Sequence, residues 1–395
     1  MESICEQTRL RGLDLQILVM ASRDRKNPNF AGGDLTLTEV SERLAASGHS
    51  VTYLCSSLPK LKHEEFIRGI RVLRFGSVWT ASLLAFFYYV RNRGKYRVVL
   101  QEALGGLRVP YFGPFYIRKP LVAVWYQRND RIFHYQFNRV VAGFLRILEY
   151  AVAAVHRHRL VLCPSKRSLI DLEELGFDRL LIRTYTPGID EVVLARSPQA
   201  LQSKRENMLM WIGKIRKFKC PHHAIMALDS VRKAIPDCTL VIAGYPEDWR
   251  YLNHLKEIGN KLKLNNALIF RFRISEEEKG LLLLKTKALL ITSPVEGFAN
   301  VASEANACGV PVVATYGVPS DVVTNDVNGF RVPFGDVQAM AAACERILLD
   351  NETFERLSRR SVQVAKGRDW NQTTTTFLAA LEEASMTAHN EIGNP

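Results

Sequence analysis

The chain has 395 residues, 47% hydrophobic and 24% charged, with a formal net charge of +13. That length favours two domains, and that balance excludes a disordered chain or a membrane-spanning one. Seven cysteines, odd in number, dispersed and without a Cys-x-x-Cys pair, suit a reducing cytoplasm and argue against a disulfide scaffold or a structural zinc site.

The start, Met1 to Gln7, is polar and acidic, so no secretory signal is expected. A strand is predicted over Leu15 to Ala21, then a polar loop carrying Gly32 and Gly33, a helix from Asp34 to about Ala46, and a strand over Ser50 to Leu54. The Gly pair reads either as a plain turn or as a place where backbone approaches a ligand. Trp79 to Val90 is aromatic and apolar and runs into Arg91, Arg93, Lys95 and Arg97. It is shorter than the roughly 20 residues that span a bilayer; it reads as a core-packed helix with a solvated basic end, or as an interfacial helix. Pro120 to Gln127 reads as a strand, and Arg139 to Arg159 as an apolar helix interrupted by Arg146 and Glu149, not a transmembrane one.

Ser197 to Lys204 has linker composition, which places a domain boundary near residue 195. Up to that point the chain holds 28 Lys and Arg against 18 Asp and Glu, and beyond it 25 against 22. A basic first half points to an anionic membrane surface or an anionic acceptor; scattered cations without a motif speak against nucleic acid.

Met208 to Ile212 predicts a strand, Gly213 a tight turn, and Pro221 to Lys233 a helix. Between them Lys214, Arg216, Lys217 and Lys219 make a loop that is an anion site by Coulomb logic, or otherwise a solvated basic loop. Lys287 to Ser293 predicts a short buried strand, with Glu296 in the loop at its carboxyl end, where open α/β sheets bind ligands. A helix should run from about Asn300 to Gly309, with Glu304 one turn in and Pro311 unable to continue it. Its first amides, near Asn300 and Val301, attract phosphate. The last helix is expected around Thr373 to Thr387.

The string Glu296-Gly297-Phe298, with Glu304 eight positions on, then Ala307-Cys308-Gly309-Val310-Pro311-Val312-Val313 and later Asn328-Gly329-Phe330, resembles the retaining glycosyltransferases of family 4. The resemblance implies an α/β protein of GT-B fold, two doubly wound Rossmann-like domains facing each other across a cleft. It assigns residues 1–195 to the acceptor, with the last helix packing back on them, and residues 196–372 to a nucleotide-sugar donor. It implies metal-independent transfer of a sugar to an acceptor hydroxyl, in glycan, glycolipid or natural-product glycoside synthesis, with no cofactor and no metal ligand. Lys214 and Lys219 would neutralise the diphosphate, Glu304 would hold ribose hydroxyls and Glu296 sugar hydroxyls. Gly297, Phe298, Ala299, Asn300, Val301, Gly213 and Arg273 would complete the donor site, with Gly32 and Gly33 approaching from the first domain. Thr186-Pro187-Gly188-Ile189-Asp190 resembles the segment before the interdomain crossover.

Lys214 at the usual Arg position, which loses the bidentate fork offered to phosphate, and Cys220 at the usual Gly depart from that pattern, and three other positions do so as well. Tyr126 stands where relatives carry a histidine that contacts the transferred sugar; a phenol titrates near 10 and is no proton carrier at neutral pH. His134, close by, is a candidate substitute, though a lone histidine there is more often surface or packing. Ala299 replaces a common Gly or Pro, and Phe272 a common Gly beside the nucleobase. These departures keep two alternatives open: a degenerate GT-B protein that binds a sugar nucleotide or a partner without transfer, and a GT-B phosphorylase or epimerase. The expected location is cytoplasmic, including a peripheral place on the inner face of the membrane.

Overall fold

Residues 14–28, 30, 32–104 and 109–392 are described by the structure, a computed structural model. The segment Met1 to Gln7, with Cys5, and Asn29 and Ala31 of the first loop lie outside the described residues. Two units emerge, one formed by residues 1–129, 143–188 and 369–395, the other by residues 130–142 and 189–368. The chain thus crosses at Gly188 and Ile189, earlier than the linker composition around residue 195 suggests, because Ile189 and Val193 are already buried with the second unit's strands.

The first unit is an eight-stranded sheet. Its strands are β1 (Gln16–Met20), β2 (Ser50–Ser56), β3 (Glu64–Ile67), β4 (Ile70–Phe75), β5 (Val98–Glu102), β6 (Leu121–Val124), β7 (Leu160–Cys163) and β8 (Ile182–Thr184). They lie in the order β3-β4-β2-β1-β5-β6-β7-β8, parallel except for β3 at the edge. One face packs on the helices Gly32–Ala46 and Trp370–Ile392 through Leu37, Val40, Leu44, Phe377 and Leu381. The first helix starts at Gly32, so Gly32 and Gly33 form its first turn rather than a loop ahead of it; neither has a Cβ to crowd the approaching chain. The final helix is longer than its Thr373 to Thr387 core, because Trp370 is buried against Gly188 and opens the helix early.

The second unit holds β9 (Met208–Ile212), β10 (Thr239–Ala243), β11 (Leu268–Arg271), β12 (Ala288–Ile291), β13 (Val312–Thr315) and β14 (Gly329–Val332). They are all parallel, in the order β11-β10-β9-β12-β13-β14. Central strands buried on both faces read as unbroken apolar runs, as in Leu-Leu-Ile of β12 and Val-Val-Ala of β13. The direction of progress along the sheet reverses between β9 and β12. Ligands of doubly wound sheets bind outside the carboxyl ends of the strands at such a switch point, and the loops there are residues 213–220 and 292–299.

Candidate functional site

The two loops at that switch point are tied together. The indole N–H of Trp211, at the end of β9, donates to Thr292 Oγ1 (3.0 Å), and the Thr292 hydroxyl donates to the carbonyl of Lys219 (2.6 Å). Cys220, at φ +49°, turns the chain sharply into the helix Pro221–Val231. In consequence Lys219 is held facing the second loop, and its ammonium lies 2.5 Å from Glu296 Oε1. Glu296 is placed from below by Gly317, whose carbonyl accepts its backbone N–H (3.0 Å). A Cβ on Gly317 would stand 2.0 Å from the carbonyl oxygen of Pro294, so only glycine lets these two segments close up.

Beyond Glu296, Phe298 is buried, and the guanidinium of Arg368 lies 5.9 Å over its ring. Arg368 also donates to Ser303 Oγ (2.8 Å), and burial lowers its pKa from the usual value. Ala299 takes the left-handed conformation, φ +69°, where a residue with a Cβ bears strain of about 1 kcal/mol. It offers no side-chain acceptor to the helix Asn300–Ala307, so the amides of Asn300 and Val301 carry no side-chain cap. Uncapped amides at a helix start attract anions in general.

Glu304 is buried at 6% exposure and lies 2.8 Å from the ammonium of Lys279, on the helix Glu276–Lys285. The approach is that of an ion pair, and Glu304 Oε2 has no aligned hydrogen-bond donor. Lys279 also pairs with Glu276. Burial acts to lower the Lys279 pKa, but the carboxylates of Glu304 and Glu276 outweigh it and hold the ammonium protonated. Burial raises the Glu276 pKa, against the pull of Lys279.

The remaining residues singled out in the sequence fall elsewhere. Lys214 lies 3.2 Å from Glu247, which also takes Arg216 at 3.4 Å, so the basic loop is divided: Lys219 faces Glu296 and Lys214 faces Glu247. Gly213 follows β9, and its carbonyl would be 1.8 Å from a Cβ on Gly244, which keeps this corner tight. Arg273 sits after β11 with φ +56°, stacked 5.1 Å from the Tyr245 ring and beside exposed Phe272 and Trp249. It makes no direct contact with the Lys219–Glu296 pair. In the first unit Tyr126 donates to the carbonyl of Gly33 (2.8 Å), and burial raises its pKa well above 10. Its ring lies 2.8 Å from where a Gly33 Cβ would be. His134 is exposed on a short helix, Phe133–Gln136.

Lys279, Glu276 and Arg368 were not singled out in the sequence. The signal for Lys279 was its spacing: it lies four residues before Leu283, on the buried side of a helix whose cap, Ser275 accepting the amide N–H of Glu278 on its hydroxyl oxygen, is visible in sequence. Among the described residues, Cys220, His222 and His223 place potential metal-ligand atoms within 4.8 Å of one another. Lys217 and Lys219 adjoin them, and the three residues form the N-cap and first turn of the helix Pro221–Val231, its positive end, an electrostatic setting suited to anions.

Known proteins share this architecture. Residues 195–364 match the family model described as "Glycosyl transferases group 1". A D-inositol 3-phosphate glycosyltransferase of Kribbella flavida is 31% identical over 222 residues, 52% of this chain and 52% of that protein. A glycogen synthase of Mycobacterium tuberculosis is 30% identical over 210 residues, 50% of this chain and 49% of the relative. The chain spans about half the length of the curated relatives it matches. The Anabaena protein HepE, solved in complex with UDP and glucose, superposes with a TM-score of 0.71 at 18% identity, covering 93% of this chain and all of that one. Sucrose-phosphate synthase from Thermosynechococcus elongatus superposes with a TM-score of 0.74 at 17% identity, covering 93% and 98%. The fold is therefore GT-B, built on two Rossmann-like sheets. Within it, residues 195–364 are similar to the glycosyltransferase group 1 family.

Proposed function

We propose that the protein is a retaining glycosyltransferase of family 4 that takes a sugar from a nucleotide-sugar donor and passes it to an acceptor hydroxyl. The observation that carries this reading is the Lys219–Glu296 pair, set at the switch point of a doubly wound sheet beside an uncapped helix start and a buried Glu304. In this reading the donor diphosphate lies on the amides of Asn300 and Val301, with Gly297, Phe298 and Ala299 shaping the loop and Gly213 allowing close backbone approach. Lys219, assisted by Lys214 once it leaves Glu247, takes up the negative charge that grows on the departing diphosphate. Such preorganised charge is often the largest single catalytic contribution. Glu296, released from Lys219 by the ligand, accepts hydroxyls of the sugar, and Glu304 accepts those of the ribose. Arg273 is a further donor contact.

The transfer itself forms the bond from acceptor oxygen to the anomeric carbon and breaks the bond from that carbon to the diphosphate oxygen, on the same face. The acceptor proton passes to the departing diphosphate, so neither an imidazole nor a metal ion is required. In this reading Tyr126, with Gly32 and Gly33, serves the acceptor in the first unit, the phenol holding the Gly33 carbonyl. The reading extends to glycan, glycolipid or natural-product glycoside synthesis in the cytoplasm. Its test is a thermal-shift screen of UDP-, GDP-, ADP- and dTDP-sugars, followed by mass spectrometry of products and NMR of the new anomeric linkage. A stabilising donor, a sugar-acceptor product and a conserved anomeric configuration are expected. A product of inverted configuration would remove the retaining mechanism, and no shift with any donor would remove the donor site.

A further inference from the structure

The helices Ala81–Asn92 and Arg139–His156 lie over the same face of the first sheet. Ala85 and Tyr89 of the first pack with Leu18, Met20, Val99 and Leu121, while Val152 and Ala153 of the second pack with Ala103, Ala123, Trp125 and Val161. Val99 pairs with Leu121 and Gln101 with Ala123, and side chains two apart on a strand share a face, so both clusters belong to one side of the sheet. The outer surfaces of the two helices therefore belong to one layer. The chain at Val109 joins it, since the Ser82 hydroxyl donates to the Val109 carbonyl (2.5 Å).

The inward face of the first helix is built partly from small residues, Ala81, Ser82 and Ala85, while Trp79, Leu83, Phe87 and Val90 stand in solvent. This inverts the usual surface helix, whose large apolar residues face the core. The second helix does the same where it belongs to the first unit: Phe144 is 65% exposed and Ile147 70%, one helical turn apart, and Phe115 adds another exposed ring. Residues 77–101, 109–120 and 143–148 contain no Asp or Glu, yet carry Arg91, Arg93, Lys95, Arg97, Arg118, Lys119 and Arg146. Large apolar side chains ringed by cations of one sign match the two requirements of an anionic bilayer surface, apolar insertion and headgroup attraction. An unpartnered apolar surface of this size otherwise calls for a partner. No helix of the described residues is long and apolar enough to cross a membrane, which leaves the interface as the depth reached.

We propose that this helix layer of the first unit docks on anionic lipid bilayers, inserting Phe87, Phe144 and Ile147 below the headgroups with the seven cations at headgroup level. The assignment rests on this surface alone and stands apart from the donor reading. The experiment is co-sedimentation of the full chain with phosphatidylcholine vesicles and with equimolar phosphatidylcholine–phosphatidylglycerol vesicles, for wild type and for Phe87→Asp with Ile147→Asp. Both sites are exposed, so an unchanged thermal melt certifies the variant's fold. Wild type should partition at least about tenfold more strongly onto the anionic vesicles, and the double variant should lose about tenfold or more of that. A blue shift of emission on binding that is absent in Trp79→Phe is also expected. Equal partition of variant and wild type, or equal binding to both vesicle types, would overturn the proposal. So would a concentration-dependent dimer that the double variant abolishes, since a second copy would then be the occupant.

Discussion

Lys279 and Glu304 form an ion pair, 2.8 Å apart, in which both side chains are at least nine-tenths buried. Two separate helices of the second unit are joined by it, and the carboxylate read as a ribose ligand is thereby held in one place. Preorganisation of this kind lowers the cost of ordering a binding group when a ligand arrives.

Breaking that pair should be costly, because the remaining partner becomes an uncompensated buried charge. Lys279→Met is expected to destabilise the fold by about 3–5 kcal/mol, and Lys279→Met with Glu304→Gln to recover most of the loss. Urea denaturation of the two variants checks it; equal destabilisation of both would show that packing, not charge, is what Lys279 supplies.

Glu304→Ala should weaken nucleotide binding by about 10- to 100-fold, the loss of a charged hydrogen-bond acceptor worth roughly 1.5–3 kcal/mol. Titration calorimetry with the donor's nucleotide provides the number. Unchanged affinity would remove Glu304 from the site.

Lys219→Ala should lower turnover by about 100- to 1000-fold while donor affinity falls by less, since charge grows on the leaving oxygen only as the bond breaks. Steady-state transfer and separately measured affinity resolve the two. Tyr126→Phe, which removes the hydrogen bond to the Gly33 carbonyl, should cost at most about tenfold. A common factor for affinity and turnover in Lys219→Ala would make the lysine a binding group only.

Acid sensitivity should trace in part to His156, fully buried in the first unit, with its ring bonded to the Val152 carbonyl (2.8 Å) and to Gln101 (3.0 Å). Burial lowers its pKa to about 4 from 6.5. The folded state therefore resists protonation while the unfolded chain accepts it. Its contribution is fully present above pH 6.5 and is lost as pH falls towards 4, amounting to about 3 kcal/mol in all. Urea midpoints between pH 7 and 4 should decline more steeply for wild type than for His156→Gln. Parallel slopes would assign the acid loss to other groups.

The strands β9 and β12 of the second unit were legible because they lie buried on both faces and write themselves as apolar runs between turn residues, as Met208 to Ile212 does. Glu296 and Glu304 were legible because a loop and a helix start could be placed around them. The division of the basic loop was not: Lys214 and Lys219 are equally cationic in sequence, and what sends one to Glu247 and the other to Glu296 is the turn at Cys220 with the Thr292 hydroxyl bond. Lys279 was hidden for a similar reason, its partner being a helix away in the chain. The outward display of Phe87 and Ile147 was invisible as well. An apolar helix reads alike whether its large residues face a core or face solvent, and only the small residues packed beneath them decide.

The chain of hydrogen bonds from Trp211 through Thr292 to the carbonyl of Lys219 has one more effect. It clamps the two switch-point loops with groups that a bound anion has no need to displace. An anion arriving at that switch point would therefore meet loops whose backbone is already fixed, with rearrangement confined to side chains such as Lys219 and Glu296.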